Sequence, residues 1–290
     1  MEKTTMTLGV FALVLTAALC HALWNFAARN VEGNFVILWL ALCAGCLLFF
    51  PVVAAAVVFH DIHAATRPAA LWYVIATGVI HSIYFTFLSR AYEYGEISVV
   101  YPIARGSGIG LTAIIAGVVL REGISPCGAG GITLIFIGVT AMGMAVGRRS
   151  GGGKGYGFAL CVGLTITAYS LVDKVGVSTM NPILYLWFMI VITVLLLVPR
   201  LLARYRGTIV RTARDHTGVI LMIGIVSLGT YLMILFAYTL APVSYVIALR
   251  EFAVVIGAVL GFLLLKETVT PWKITAITLI VGGMLLIRAA

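Results

Sequence analysis

Residues 97–120 read ISVVYPIARGSGIGLTAIIAGVVL and residues 243–265 read VSYVIALREFAVVIGAVLGFLLL. Each run is apolar over a length that suits a membrane-spanning helix, which needs roughly 17–25 residues. Each also carries an arginine, Arg105 in the first and Arg250 in the second. A charged side chain at the centre of a bilayer costs at least about 2.5–3.5 kcal/mol, and such groups turn toward a bundle interior or a watered path. These runs therefore predict two buried helices that face a polar interior.

Outward from them, comparable apolar segments occupy residues 8–28, 35–59, 70–92, 127–146, 155–172, 182–202, 217–240 and 272–287. The 290-residue chain is 62% hydrophobic and 10% charged, with a mean hydropathy of +1.13. Soluble domains carry about a quarter charged residues. Transmembrane strands are only about ten residues long and alternate in polarity, which these runs do not. The expectation is an all-α integral membrane protein with ten transmembrane helices, multi-pass in the cell (inner) membrane.

The two quoted runs end alike. Arg121-Glu122 closes the fourth segment ahead of Pro126, and Lys266-Glu267 closes the ninth ahead of Pro271, at the spacing that also relates Arg105 to Arg250. Upstream, Ala91-Tyr92 corresponds to Ala237-Tyr238, Ser98 to Ser244, Trp24-Asn25 to Tyr169-Ser170, and Arg29 to Lys174. The chain reads as a duplication: residues 1–146, a Gly- and Arg-rich linker at 147–154, and residues 155–290. Five helices per copy is an odd number, so the second copy enters the membrane from the opposite side. Two inverted five-helix repeats are an architecture of alternating access, with the binding site near the midplane.

The formal charge of +9 gathers in short connections: Arg148, Arg149 and Lys154, then Arg200, Arg204, Arg206, Arg211 and Arg214. No basic soluble domain is present to bind nucleic acid. By the positive-inside rule these connections are cytoplasmic, which puts both termini outside. The start of the chain lacks a clearly basic n-region, and Leu19 is too large for a cleavage site before Cys20, so the first segment reads as a retained helix. Cys20, Cys43, Cys46, Cys127 and Cys161 read as small packing residues. His60-Asp61-Ile62-His63 reads as an interfacial loop, and no metal set or cofactor motif is found. Gly151-Gly152-Gly153-Lys154 lacks the strand before it and the Ser/Thr after it that a phosphate loop requires.

The duplicated five-helix plan, the Gly/Ala-rich fourth and ninth segments ending in Glu122 and Glu267, and His21-Ala22-Leu23-Trp24-Asn25 resemble the EamA branch of the drug/metabolite transporter superfamily. The resemblance covers essentially the whole chain. It implies a ten-helix bundle around a cavity lined by helices 1, 3, 4, 6, 8 and 9, moving small metabolites, often outward. It also implies cytoplasmic termini, against the charge count. Pro102-Ile103-Ala104-Arg105-Gly106 and Leu249-Arg250-Glu251 resemble a subset associated with phosphonate utilisation.

Guanidinium forks grip carboxylate or phosphonate groups through paired, charge-assisted hydrogen bonds. Arg105 and Arg250 are accordingly read as substrate-binding, or else as neutralised internally by Glu251, Glu93 or Glu96. With Gly106 after Arg105 and Glu251 after Arg250, the expected site is one free arginine, Arg105, and one Arg250–Glu251 pair. Glu251 is also the candidate for coupling to a proton or counter-substrate. His21, Trp24 and Asn25, His81 and Tyr84, Tyr101, Tyr169 and Tyr231 complete the expected lining. Trp187 and Tyr238 read as belt or packing residues, Asp173-Lys174 and Arg29 as helix-end anchors, and Pro102 as a hinge. Gly106, Gly108 and Gly110, with Gly257 and Gly261, read as close helix contacts.

The function read from these features is a secondary transporter that exports a small anionic or zwitterionic metabolite, as a monomer or weak homodimer. Two alternatives stand beside it. A cation or drug exporter needs a carboxylate dominating the cavity, and a membrane enzyme acting on a lipid-linked substrate needs a clustered acid/base set.

Overall fold

The computed structural model describes residues 6–28, 31, 34–59, 68–95, 97–146, 153–264, 266 and 268–290. Within them the chain forms twelve helices and no strand: α1 (Leu8–Ala28), α2 (Phe35–Phe59), α3 (Ala70–Tyr94), α4 (Ile97–Val119), α5 (Pro126–Val146), α6 (Gly153–Gly176), α7 (Pro182–Tyr205), α8 (Ile209–Asp215), α9 (Thr217–Leu240), α10 (Val243–Arg250), α11 (Phe252–Leu264) and α12 (Pro271–Ala289). Nine helical spans among the described residues are long and apolar enough to cross a membrane, α10 and α11 counting together, and Pro126–Met142 is a shorter apolar helix. Large apolar side chains such as Leu47, Trp72, Val118 and Leu263 point outward and exposed. In water that surface would be a liability, but it matches hydrocarbon, where only closed backbone ladders are tolerated.

Proline and asparagine mark helix starts as local chemistry requires. Pro126 and Pro271 sit at first-turn positions where a missing N–H is harmless, as does Pro182, behind which Asn181 accepts from the Ile183 N–H at 2.9 Å. Thr270 caps α12 through the Lys273 N–H at 3.2 Å. The ends of α4 and α11 are followed by residues with positive φ, Arg121 at 52° and Lys266 at 54°. Such left-handed positions usually take glycine. At Arg121 the turn lets the Glu122 N–H return to the Ala116 carbonyl at 3.3 Å.

The main contacts pair α5 with α12, α6 with α3 and α4, α9 with α1 and α2, α4 with α5, and α7 with α3. Two glycines let α5 and α12 approach backbone to backbone: a Cβ on Gly131 would lie 2.6 Å from the Gly283 carbonyl, and one on Gly283 2.5 Å from that of Gly131. In an apolar solvent such small-residue contacts supply the dispersion that hydrophobic exclusion cannot. Gly108 likewise meets Ile166 across α4 and α6, as its reading as a packing glycine requires, whereas Gly257 has nothing within 4 Å.

The two ends of the bundle differ. At one, Arg204 pairs with Glu93 at 3.1 Å, Phe35 stacks on Tyr205, and Lys154 lies over the Tyr94 ring. This basic end also carries Arg200, Arg206, Arg211 and Arg214. At the far end, helix termini are clipped together. The Glu122 carboxylate accepts from the N–H groups of Val243 and Ser244 and from the Ser244 hydroxyl, capping α10 at 2.6, 3.2 and 2.7 Å. Lys174 Nζ donates to the carbonyls of Tyr238 and Ala241, closing the C-terminus of α9. Each cap satisfies orphaned backbone groups with the charge that complements the helix dipole.

The ninth segment is broken. Helix α10 stops at Arg250, Glu251 sits in a turn with its N–H on the Ala248 carbonyl at 3.1 Å, and α11 starts at Phe252. Helix α4 runs without interruption through Pro102, the residue read as a hinge. Arg29, His60 to His63, Glu96, Arg148, Arg149, Gly151, Gly152 and Glu267 lie outside the described residues.

Candidate functional site

A cavity of about 240 Å³ runs from mid-bundle to the basic end. Its wall comes from α1, α2, α3, α4, α6, α7 and α9, and Arg250 of α10 also lines it. Helices 2 and 7 thus join the set implied by the resemblance, through residues such as Phe35, Leu38, Met189 and Ile190. At the far end the clipped termini close it.

Ten of the residues singled out in the sequence line this space together: His21, Trp24, Asn25, His81, Tyr84, Tyr101, Arg105, Tyr169, Tyr231 and Arg250. Glu251 is the exception, 1% exposed behind the wall. Trp187 and Tyr238 pack, as read: the Trp187 indole donates to the Cys46 carbonyl at 3.1 Å, and Tyr238 is fully buried.

The charge pairing runs opposite to expectation. Arg105 Nη1 binds Glu251 Oε1 at 3.1 Å, although the two lie 146 positions apart. Its Nη2 meets His21 Nε2, also at 3.1 Å, and its guanidinium lies 5.2 Å from the Tyr101 ring centroid. A guanidinium only donates, so His21 Nε2 is the acceptor and the ring proton sits on Nδ1. Arg105 is therefore spent on protein groups. Arg250, sequence neighbour of the glutamate, makes no hydrogen bond or ion pair among the described residues, and its Nε is buried without an acceptor. Consecutive side chains of a helix point about 100° apart, and here Arg250 faces the cavity while Glu251 reaches across to Arg105 of α4.

Beside the arginines stands an aromatic wall. The His81 ring stacks on Tyr169 at 4.4 Å between centroids, and Tyr84 and Tyr231 meet Tyr169 edge-on at 5.7 and 6.2 Å. His81 Nδ1 lies 2.9 Å from the Thr77 carbonyl, which only an N–H can satisfy, so this ring too is fixed in place. Asn25 gives its amide N–H to the His21 carbonyl at 2.8 Å. The arrangement presents one unpaired cation, flat π surfaces and a polar rim.

Sequence reading passed over Asp173. It was treated as a helix-end anchor, yet α6 continues to Gly176, and Asp173 is wholly buried, accepting from the hydroxyls of Tyr185 (2.9 Å) and Tyr231. The available signal was its spacing: four residues after Tyr169 puts it on the same face of α6. Glu122, noted only as a repeat marker, turns out to be the cap of α10.

A bundle of long apolar spans defines a multi-pass membrane protein. Residues 153–289 match the EamA-like transporter family, which lies within the drug/metabolite transporter superfamily. A protein of known crystal structure, 15% identical in sequence, superposes with a TM-score of 0.73 over 96% of this chain and 96% of its own, a likeness of fold. No curated protein matches the sequence.

Proposed function

We propose that this protein is a secondary transporter that exports a small anionic or zwitterionic metabolite across the cytoplasmic membrane by alternating access. The observation that carries the reading is Arg250: a buried, unpartnered guanidinium at a cavity wall is costly to keep unless a ligand completes it. A carboxylate or phosphonate does so through two parallel charge-assisted hydrogen bonds. The faces of Tyr84, Tyr169 and Tyr231 suit an ammonium or apolar portion of the same molecule. His21, Trp24, Asn25, His81 and Tyr101 complete the binding set, with the Arg105–Glu251 pair as its back wall. The work is translocation, not catalysis, and a monomer or weak homodimer suffices for it.

Ten transmembrane helices in two inverted repeats, residues 1–146 and 155–290 joined by 147–154, are part of this proposal. Exchanging the halves maps the α1–α9 contact onto α6–α3 and the α2–α9 contact onto α7–α3, while α5–α12 maps onto itself. The positive φ of Arg121 and Lys266 recurs at the matching helix ends. A helix broken at the binding residue, as at Glu251, is a common feature of such carriers.

The basic end is cytoplasmic by the positive-inside rule, so the cavity opens inward in the conformation described, ready to load an exported substrate. A periplasm-active reporter fused after Ala290 is expected to be active. A reporter active only in the cytoplasm, working at the same position, would reverse the orientation.

Proteoliposomes loaded in turn with glutamate, succinate, 2-aminoethylphosphonate and ethidium test the substrate class. Counterflow of at least one anion or zwitterion, and none of ethidium, is expected. Ethidium transport alone would instead favour the drug-exporter alternative, for which the aromatic wall is the supporting feature. Enzymatic turnover of a lipid-linked substrate without flux would favour the third reading.

A further inference from the structure

Asp173 is the one buried carboxylate that the binding site above does not use. It is 0% exposed, and its two oxygens take the hydroxyls of Tyr185 on α7 and Tyr231 on α9. From α3, Thr77 and His81 face it. The cation next to it in sequence, Lys174 on its own helix, is turned away to the α9 carbonyls of Tyr238 and Ala241. Tyr238 faces the same region from α9. No salt bridge to Asp173 occurs among the described residues. A buried carboxylate that has hydroxyl donors but no salt bridge among the described residues keeps much of its desolvation penalty, which is several kcal/mol. A transferable proton removes that penalty.

The geometry also supplies a route. Tyr231 lines the cavity and touches Asp173, whereas Asp173 itself does not line it. On the other side, the Tyr185 hydroxyl lies 3.5 Å from the Tyr73 carbonyl as well as 2.9 Å from Asp173. We propose that Asp173 is the proton-binding site that couples this carrier to the proton gradient, with Tyr231 as its door to the cavity. The proposal rests on the carrier reading above.

The step balances simply. A hydronium ion entering the cavity gives a proton to the Tyr231 oxygen and leaves as water, as Tyr231 passes its own hydrogen to Asp173 Oδ2, so one proton enters and one negative charge is neutralised. The acid's Oδ2–H then donates back to the Tyr231 oxygen, while the Tyr185 hydroxyl goes on donating to Oδ1. In the reverse direction the proton leaves to the cavity. Access from the far end requires opening the Lys174 clasp between α6 and α9, the same movement that would release substrate there. Proton entry from outside and substrate exit thus share one conformational change, which is antiport.

Infrared difference spectra of the full chain in liposomes, stepped between alkaline and acidic buffer in H2O and D2O, read the proton directly and need no substrate. A deuterium-sensitive carboxylic acid C=O band is expected. It should be lost in Asp173→Asn, retained in Glu251→Gln and shifted in Tyr231→Phe. Absence of the band, or its persistence in Asp173→Asn, overturns the proton site. In flux assays with glutamate, succinate and 2-aminoethylphosphonate, Asp173→Asn is expected to lose accumulation driven by a pH gradient at least tenfold while keeping anion counterflow. Retention of gradient-driven accumulation overturns the coupling role. If wild type moves none of these anions, the carrier reading and its coupling fall together, while the infrared result still decides whether Asp173 binds a proton.

Discussion

Arg250→Ala is expected to abolish anion transport without destabilising the protein. Among the described residues the side chain makes no hydrogen bond or ion pair that its loss would orphan, and its Nε is already buried without an acceptor. Removing a buried, uncompensated charge relieves a cost instead of creating one. Binding is another matter. A hydrogen bond to a charged group contributes about 1.5–3 kcal/mol, and a forked contact provides two. Loss of about 3 kcal/mol corresponds to roughly 100-fold weaker binding. Counterflow rates over a range of substrate concentrations, alongside thermal unfolding in detergent, check both halves. Arg250→Lys should restore only part of the flux, because an ammonium supplies charge but no planar fork. Full transport by Arg250→Ala would remove the arginine from the binding site.

Arg105→Ala is expected to do the opposite: its first effect is on folding. It leaves the Glu251 carboxylate, at 2% side-chain exposure, without its counter-ion, and deprives His21 Nε2 of its donor. Breaking one side of a buried ion pair costs about 3–5 kcal/mol. Glu251→Gln alone should cost less, since the amide oxygen still accepts from Arg105. In the double variant Arg105→Gln/Glu251→Gln no charge is stranded and two amides can bond each other, so most of the stability returns. Unfolding of the wild type, Arg105→Gln, Glu251→Gln and the double variant gives the coupling energy directly, expected at the upper part of the roughly 0.5–3 kcal/mol range for contacting pairs. Strict additivity would mean that the two side chains do not meet in the membrane.

These contrasting outcomes were not separable from the sequence. Glu251 stands next to Arg250, so local reading paired those two and left Arg105 free. The structure joins Glu251 to Arg105 across 146 positions. Consecutive side chains of a helix point about 100° apart, so neighbours in sequence need not meet, which composition does not announce. Asp173 was obscured by a boundary: with α6 ended at residue 172 it looked like an anchor at a surface, whereas α6 continues to Gly176 and buries it. Lys174, read as a helix-end anchor, donates to the helix-end carbonyls of Tyr238 and Ala241.

Much else was legible, and for a physical reason. Bilayer thickness demands long apolar helices, and the apolar runs declared the spans to within a few residues. Buried charge in such runs is expensive, so Arg105 and Arg250 pointed inward on energetic grounds alone. Polar and aromatic side chains such as His21, His81, Tyr169 and Tyr231 avoid lipid for the same cause, and they do line one cavity. What the sequence by itself determined is thus the solvent of each segment: which helices lie in hydrocarbon and which side chains must turn away from it. Only the tertiary structure decided which buried charges meet, because partner choice depends on how helices distant in the chain cross. Those crossings give Arg105 the ion pair with Glu251 and leave Arg250 at the cavity wall without an ion pair among the described residues.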